Sequence, residues 1–224
     1  MRTCALIPAF NEALHIAKVV EGVRQHVAAV VVIDDGSDDG TGEIARAAGA
    51  SCLRLPKNRG KALALRAGIA FARDHNFTYV ITLDGDGQHS PEDIPVMFRV
   101  ANETGADLVI GARCFDRALM PRSRYFSNIV GSRLASALVG CEIRDSQSGF
   151  RLFGLDKLGE AKLRSRCYEL EMEILIKMAR SGCTIAHAPI HMIYYDGHAR
   201  SKMKPVRDTV RVCLWSLAFR FLGA

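Results

Sequence analysis

Short runs of consecutive apolar residues alternate along the chain with longer segments in which apolar residues recur every three or four positions. The runs predict strands buried on both faces at 3–7, 29–33, 52–55, 79–83 and 107–110. The periodic segments predict helices at 12–26, 42–48, 61–75, 91–104 and, later in the chain, around 168–182. This alternation predicts an α/β fold with a mostly parallel central sheet flanked by helices.

The composition of the chain is that of a folded globular domain. Its 224 residues are 49% hydrophobic and 24% charged, and they contain no repeated or low-complexity segment. Seven cysteines, an odd number without a C-x-x-C pair, predict reduced thiols. No charged leader followed by an apolar core opens the sequence, so we expect a cytoplasmic location. The formal net charge of +6 favours anionic partners without specifying them.

Acidic residues follow two of the predicted strands at the point where each strand ends. The segment "IDDGSDDGT" follows strand 29–33, and "ITLDGDGQH" contains the end of strand 79–83. Parallel sheets bind ligands beyond the carboxyl ends of their strands, where an aspartate such as Asp35 accepts hydrogen bonds from a base or ribose. A turn with a helix cap explains the first segment equally well from its Asp, Gly and Ser content.

The second acidic segment has the outline of a site for a hard cation. Asp84 and Asp86 are two positions apart in an extended segment, so their carboxylates point the same way, and Gly85 and Gly87 permit close approach of the backbone. Oxygen donors suit Mg²⁺ or Mn²⁺, and Mg²⁺ typically takes one or two protein carboxylates together with substrate phosphates and water. His89 is either a further ligand for Mn²⁺ or a hydrogen-bonding neighbour. The alternative for the whole segment is an acidic surface turn.

A family resemblance rests on several segments that occur in a fixed order. They are "IPAFNE", "VVVIDDGSDDGT", "NRGKALALRAGIAFA", "LDGDGQHSPEDIP", "VIGAR" and "SQSGFRLF". Together they resemble the family 2 inverting glycosyltransferases of the GT-A fold, most closely the dolichyl-phosphate mannose synthase, or polyprenyl-phosphate glycosyltransferase, branch. The resemblance extends from Leu6 to about Lys202. It implies metal-dependent transfer of a hexose from a nucleotide sugar, GDP-mannose or a UDP-sugar, to a polyprenyl phosphate.

The resemblance also implies roles for particular residues. Contacts with the donor nucleotide and sugar are implied for Pro8, Phe10, Glu12, Ile33, Asp35, Lys61, Asp84 and Gly85. It implies metal ligation by Asp86 and Gln88, and phosphate contacts for Arg113, Arg151, Arg200 and Lys202. One difference stands out, because Asp196 lies where the branch has an arginine. Either the cation has moved to Arg200 or the acceptor differs.

The acceptor decides whether the reaction needs a base. A single inverting displacement needs no nucleophilic side chain, and a phosphate acceptor is already an anion, whereas a hydroxyl acceptor must lose a proton. Asp145 in "RDSQSGFR" is the catalytic base candidate, and a capping or turn role is the alternative. With a phosphate acceptor, Asp145→Asn is expected to be tolerated. A nucleotidyltransferase and a non-catalytic nucleotide-binding module are the other functions considered, whereas the absence of G-x-G-x-x-G after the first strand argues against dinucleotide chemistry.

The sequence predicts a glycosyltransferase domain at 1–204 and an amphipathic helix at 205–224. Arg211 and Arg220 interrupt the apolar residues of this helix, which is too short to span a bilayer. It either lies in a membrane interface, packs on the domain or pairs with another chain. With the basic and apolar run 114–135, it favours attachment to an anionic membrane surface on the cytoplasmic face. No nucleic acid partner is expected, and the oligomeric state stays open.

Overall fold

A single mixed sheet forms the centre of the protein. The computed structural model describes residues 1–113, 122–159, 163–165, 169–193 and 205–222. The sheet has seven strands in the order β3-β2-β1-β4-β6-β5-β7. The strands are β1 (Thr3–Ala9), β2 (Ala29–Asp34), β3 (Ser51–Arg54), β4 (Tyr79–Thr82), β5 (Leu108–Arg113), β6 (Arg151–Gly154) and β7 (Ile185–Ile190).

Helices cover both faces of the sheet. They are α1 (Ile16–Arg24), α2 (Thr41–Ala47), α3 (Lys61–Asp74), α4 (Ile94–Thr104), α5 (Arg122–Val139), α6 (Leu155–Leu158), α7 (Leu170–Arg180) and α8 (Pro205–Leu222). A 3₁₀ turn at Pro91–Asp93 leads into α4. Neighbouring residues of a strand point to opposite faces, so Leu6 packs in one core with α3 and α7 while Ile7 packs in another with α1 and α4. The α/β fold predicted from the sequence is therefore confirmed.

Strand β6 is the one strand of the sheet that runs against the others. It lies between β4 and β5 and pairs antiparallel with both. The hydrophobic pattern predicted neither β6 nor β7. Because of its direction, β6 begins at the edge where β4 and β5 end, and Arg151 pairs with Thr82 on one side and Ile110 on the other. The loop before β6 therefore reaches the carboxyl edge of the parallel strands.

The C-terminal helix α8 contacts α5 and α7. Val212 and Trp215 pack against the core, and Arg211 Nε lies 2.5 Å from the buried carboxylate of Glu169. Val210 and Leu214, four positions apart, are exposed. This helix thus has one side docked on the domain and apolar side chains on another. Within the described part of the chain, no helix is long and apolar enough to cross a membrane.

Candidate donor and metal site

The loops after β1 and β2 are tied to each other by hydrogen bonds. Asn11 has a left-handed backbone, with φ of 55°, and this ends β1 and delays α1 to Ile16, later than the predicted start at residue 12. The amides of Asn11 and Glu12 donate to the hydroxyls of Ser37 and Thr41, at 3.0 and 2.9 Å. Phe10 and Glu12, both half-buried, therefore lie beside the first acidic loop.

Two residues predicted to line the nucleotide lie in neighbouring strands of the sheet. Pro8 and Ile33 are paired across β1 and β2. The Ile33 side chain is fully buried and fills the space beside Gly68 of α3. The predicted lining role does not fit this placement of the side chain, because Ile33 belongs to a strand that is buried on both faces.

Asp35 anchors the loop that begins α3. Its two carboxylate oxygens accept hydrogen bonds from the amides of Arg59 and Gly60, at 2.9 and 2.7 Å. The carboxylate is thereby fixed at the end of β2, and the residue that follows Gly60 is Lys61, the first of α3. A contact between Asp35 and a nucleoside stays a prediction.

Three charged side chains meet at the end of β4. Lys61 Nζ lies 2.6 Å from Asp84 Oδ1 and 3.0 Å from Glu171 Oε1, which reaches the site from the first turn of α7. Burial alone would lower the pKa of Lys61, but the two carboxylates raise it above its ordinary value. Burial would raise the pKa of Asp84, yet the Lys61 ammonium lowers it to about 2. Asp84 and Lys61 are therefore an ion pair at neutral pH.

Gly149 is the residue of the "SQSGF" segment that touches this charge cluster. A Cβ atom at this position would lie 2.7 Å from Lys61 Nζ and 3.0 Å from Asp84 Oδ2. Its carbonyl accepts a hydrogen bond of 2.6 Å from Thr82 Oγ1 on β4. Glycine therefore lets the loop before β6 close against the end of β4 without displacing the Lys61 ammonium.

Asp86 and Gln88 supply oxygen donors beyond the ion pair. The amide of Gln88 donates to Asp86 Oδ1 at 3.0 Å, which orients the carboxylate. Burial, followed by the charge of Asp84, raises the pKa of Asp86 to about 6. A carboxylate that its surroundings disfavour without a cation, beside hard oxygen donors, fits Mg²⁺ or Mn²⁺. No cluster of three or more His, Cys, Asp or Glu side chains converges in the described ranges.

His89 lies behind the acidic segment as a buried neighbour. The Asp84 amide approaches His89 Nδ1 at 3.5 Å, and the imidazole packs at a tilt against Phe150. Burial, the largest effect, lowers the pKa of His89 to about 4. The imidazole is therefore neutral at pH 7 and supports the end of β4.

Asp145 holds Arg113, which favours a structural role for this carboxylate over the predicted role as a catalytic base. Arg113 Nε and Nη2 donate to Asp145 Oδ2 and Oδ1 at 2.6 and 2.8 Å, and Asn128 Nδ2 donates to Oδ1 at 2.7 Å. Burial raises the pKa of Asp145, but the Arg113 guanidinium and these hydrogen bonds bring it below its ordinary value. A buried carboxylate with a depressed pKa and both oxygens engaged is a poor proton acceptor.

Arg151 is a core residue, and this placement does not favour its predicted contact with phosphate. It is 1% exposed, and its guanidinium donates to three backbone carbonyls, those of Ser146, Ser148 and Glu171, at 2.7, 2.9 and 2.5 Å. Arg151 belongs to a strand that is buried on both faces. Its hydrogen bonds join the "SQSGF" loop to the start of α7.

The structure does not describe the other two residues predicted to contact phosphate, Arg200 and Lys202, nor Asp196. Two polar residues of the site were missed from the sequence. Glu171 stands in a helix interpreted as core packing, and Asn128 in a run interpreted as basic and apolar. The spacing of Asn128, Ser132 and Ser136 at four-residue intervals on α5 was the available signal.

The fold and site define a class of protein, namely α/β enzymes with charged residues gathered at the carboxyl edge of the sheet. The sequence profile of "Glycosyl transferase family 2" matches residues 4–157. The chain therefore belongs to glycosyl transferase family 2, and it is a glycosyltransferase.

Named relatives extend over nearly the whole chain. It is 32% identical to a dolichyl-phosphate hexose transferase of Haloferax volcanii, covering 92% of this chain and 91% of that one. It is 29% identical to an undecaprenyl-phosphate mannosyltransferase of Micrococcus luteus, covering 100% and 97%. The structure of glucosyl-3-phosphoglycerate synthase from Mycobacterium tuberculosis, solved with Mn²⁺ and UDP, superposes with a TM-score of 0.74 at 21% identity, over 97% and 79% of the two chains. This last similarity establishes the GT-A fold alone.

Proposed function

We propose that the protein transfers a hexose from a nucleotide sugar to a polyprenyl phosphate in a single inverting step that depends on Mg²⁺ or Mn²⁺. The observation that carries the proposal is the Lys61, Asp84 and Glu171 cluster beside Asp86 and Gln88, at the sheet edge where the donor-binding loops converge. GDP-mannose and UDP-sugars are the donors to test first. The names of the relatives from Haloferax and Micrococcus support the acceptor.

The donor diphosphate would bind at this cluster. Asp86 and Gln88 would hold the cation, which stabilises negative charge on the departing diphosphate. Lys61 supplies a fixed ammonium at the same place, and Asp35 holds the loop from which Lys61 extends. Pro8, Phe10, Glu12 and Gly85 would line the nucleotide side. In this arrangement the protein provides position and charge, and no side chain attacks the sugar.

A phosphate acceptor agrees with the state of the charged groups around Arg113. A polyprenyl phosphate is already an anion and needs no base, and the carboxylate of Asp145 is held by Arg113 and Asn128. A guanidinium of this kind engages phosphate oxygens with paired hydrogen bonds. We assign the acceptor phosphate to Arg113, with Arg200 and Lys202 as further cations.

An apolar and basic surface on α5 and α8 would face the membrane that holds the acceptor. Phe126 and Val130 on α5 are 63% and 55% exposed, and Val210 and Leu214 on α8 are 52% and 63% exposed. The two helices contact each other. Because arginines accompany these side chains in both helices, an anionic bilayer surface is the matching partner. The protein would thus act peripherally, on the cytoplasmic face.

Product analysis tests this function. Purified protein is incubated with GDP-mannose, UDP-glucose or UDP-N-acetylglucosamine, each with polyprenyl phosphate or, as the matched control, the unphosphorylated polyprenol. We expect a polyprenyl-phosphate hexose and a free nucleoside diphosphate, only with the phosphorylated lipid and only without EDTA. Transfer to the alcohol, or release of pyrophosphate from a nucleoside triphosphate, would overturn the proposal.

A further inference from the structure

We propose that Asn128 is a positioning residue that fixes the Arg113 guanidinium through Asp145. This inference rests on the proposed function, in which Arg113 engages phosphate. It assigns to α5 a task inside the active site, besides the surface that this helix offers to lipid.

The contacts form a continuous chain from α5 to the end of β5. Asn128 is 3% exposed and Asp145 is fully buried. Asn128 Nδ2 donates to Asp145 Oδ1 at 2.7 Å, and the same carboxylate receives Nε and Nη2 of Arg113. A carboxylate that receives two parallel hydrogen bonds fixes the plane of a guanidinium. The Asn128 amide in turn fixes the rotation of the carboxylate.

Asn128 is itself held in one orientation. Ser132, one turn further along α5, donates its hydroxyl to Asn128 Oδ1 at 3.2 Å, and its oxygen accepts the amide of Ser146 at 3.0 Å. With Oδ1 accepting, the Nδ2 group must face Asp145. Ser132 and Ser146 are also buried, so water does not compete for these groups.

The arrangement has a functional reason beyond the stability of the loop. An arginine that must find its orientation each time a phosphate arrives loses side-chain freedom on binding, whereas a pre-oriented one does not. Arg113 is the last residue of β5, and its side chain is 18% exposed. Asp145 comes from the loop before β6. Asn128 therefore connects this loop, and through Asp145 the end of β5, to helix α5.

The matched control lies on the same helix. Ser136, two turns beyond Asn128, accepts the amide of Ile143 at 2.8 Å and donates to the carbonyl of Ser132. It supports the loop that carries Asp145 but makes no hydrogen bond to Asp145 or Arg113. Ser136→Ala thus reports the effect of loosening this loop, while Asn128→Ala reports the loss of the bond to Asp145.

The test is a double-mutant cycle between Asn128 and Arg113, read as kcat, KM for donor and acceptor, and thermal midpoint. We expect Asn128→Ala to lower kcat/KM for the polyprenyl phosphate about tenfold, and Asn128→Ser, which keeps a donor, to lie between it and the parent. Asn128→Asp, isosteric and negatively charged beside Asp145, is expected to lower kcat/KM about a hundredfold. Ser136→Ala should keep kcat/KM within about twofold at a comparable shift in thermal midpoint.

Arg113→Ala separates this inference from the proposed function. If Arg113→Ala leaves turnover unchanged, the phosphate role of Arg113 fails and the positioning role fails with it. If Arg113→Ala is inactive or weak, Asn128→Ala should add no further loss in that background, since it acts through Arg113. Additive losses in the cycle, or equal losses for Asn128→Ala and Ser136→Ala, would overturn the positioning role and leave the proposed function standing.

Discussion

The two carboxylates that follow β4, in the first half of the chain, and those of Asp145 and Glu173, in the second half, are used in opposite ways. In the first half, the Asp84 side chain is 32% exposed beside Lys61, and Asp86 is half-buried at the same edge. In the second half, Asp145 and Glu173 have no exposed surface and accept hydrogen bonds from Arg113 and from the amide of Ser165, respectively. The carboxylates after β4 thus keep a side that a ligand can reach, whereas these two join elements of the fold.

The physical reason is desolvation. A fully buried carboxylate is costly unless charged and hydrogen-bonding partners surround it, and once they do, little capacity remains for a ligand. A half-buried carboxylate keeps an open side that a cation can reach. Mutations in the two halves should therefore separate activity from stability.

Asp86→Asn should give the largest effect, confined to activity. An amide is a weaker ligand for a hard cation than a carboxylate, so we expect turnover to fall about a hundredfold or more at saturating Mg²⁺ or Mn²⁺, with the thermal midpoint unchanged. Asp74→Asn, at the exposed end of α3, is the control. Turnover within about threefold of the parent would mean that Asp86 does not hold the cation.

Arg151→Lys should show the opposite pattern, with the main effect on stability. An ammonium reaches fewer of the three carbonyls that the guanidinium joins. Since each unsatisfied buried carbonyl costs about 1–3 kcal/mol, we expect a loss of about 3 kcal/mol in the free energy of unfolding. Denaturant titration measures it, with exposed Arg133→Lys as control. An unchanged denaturation midpoint, together with a raised KM for the polyprenyl phosphate, would mean that Arg151 binds ligand.

Glu173→Gln should lower the free energy of unfolding by less than Arg151→Lys does, and the loss should depend on pH. Burial raises the pKa of Glu173, but hydrogen bonds from Lys177 and Ser165 lower it below the ordinary value. A lowered pKa in the folded state contributes stability above the unfolded pKa of about 4.3, and this contribution fades as the pH falls below it.

We therefore expect Glu173→Gln to be less stable than the parent by about 2 kcal/mol at pH 7, the scale of hydrogen bonds to a charged group. Denaturant titrations at pH 7 and pH 3.5 should show the difference shrinking at the lower pH. A difference that is constant with pH would mean that packing, and not charge, is what the glutamate provides.

The smallest effect is expected on the outer side of α8, where neither activity nor stability should change. Val210→Ser with Leu214→Ser removes exposed apolar area while Val212 and Trp215 keep the helix docked. Sedimentation with anionic vesicles at low salt should weaken several-fold, with soluble donor binding unaffected. Leu14→Ser, an exposed apolar side chain in the first half, is the control. Equal sedimentation of all three proteins would remove this surface as the membrane contact.

Deleting residues 207–224 is a less specific test of the same surface. From the sequence alone, we expect this deletion to weaken sedimentation with vesicles and to spare donor nucleotide binding. Since Arg211 neutralises buried Glu169 and Trp215 packs against the core, we now expect the deletion to destabilise the domain as well. The point substitutions on the exposed side avoid this ambiguity.

Local patterns are sufficient to bring the acidic residues of the first half to one edge of the sheet. Asp84 and Asp86 follow an apolar run, and the rule that parallel strands end at one edge places them beside the first acidic loop. In the second half the deciding contacts join distant positions. Arg113 and Asp145 are 32 positions apart, and the partners of Lys61 lie on two other elements. No spacing along the chain encodes such pairs.

The secondary structure shows the same limit. Strand β6 begins with Arg151 and so does not read as an apolar run, and its direction depends on the two strands that it separates. Glu169 and Glu173 fall off the apolar stripe of α7, yet both are buried, because Arg211 and Lys177 neutralise them from α8 and from the next turn of α7. Charge pairing across elements overrides the polarity pattern of a single helix.

The position of β6 also sets the order in which a nascent chain can complete the sheet. Strands β1 to β4 are adjacent and leave the ribosome first, but β4 keeps an unpaired edge until Arg151–Gly154 has been synthesised. Strand β5 has no place in the sheet before then, because β6 separates it from β4. At about 5–20 residues per second, translation leaves this edge open for several seconds. An open strand edge invites pairing with other chains, so the growing protein is most exposed to aggregation just before its site can assemble.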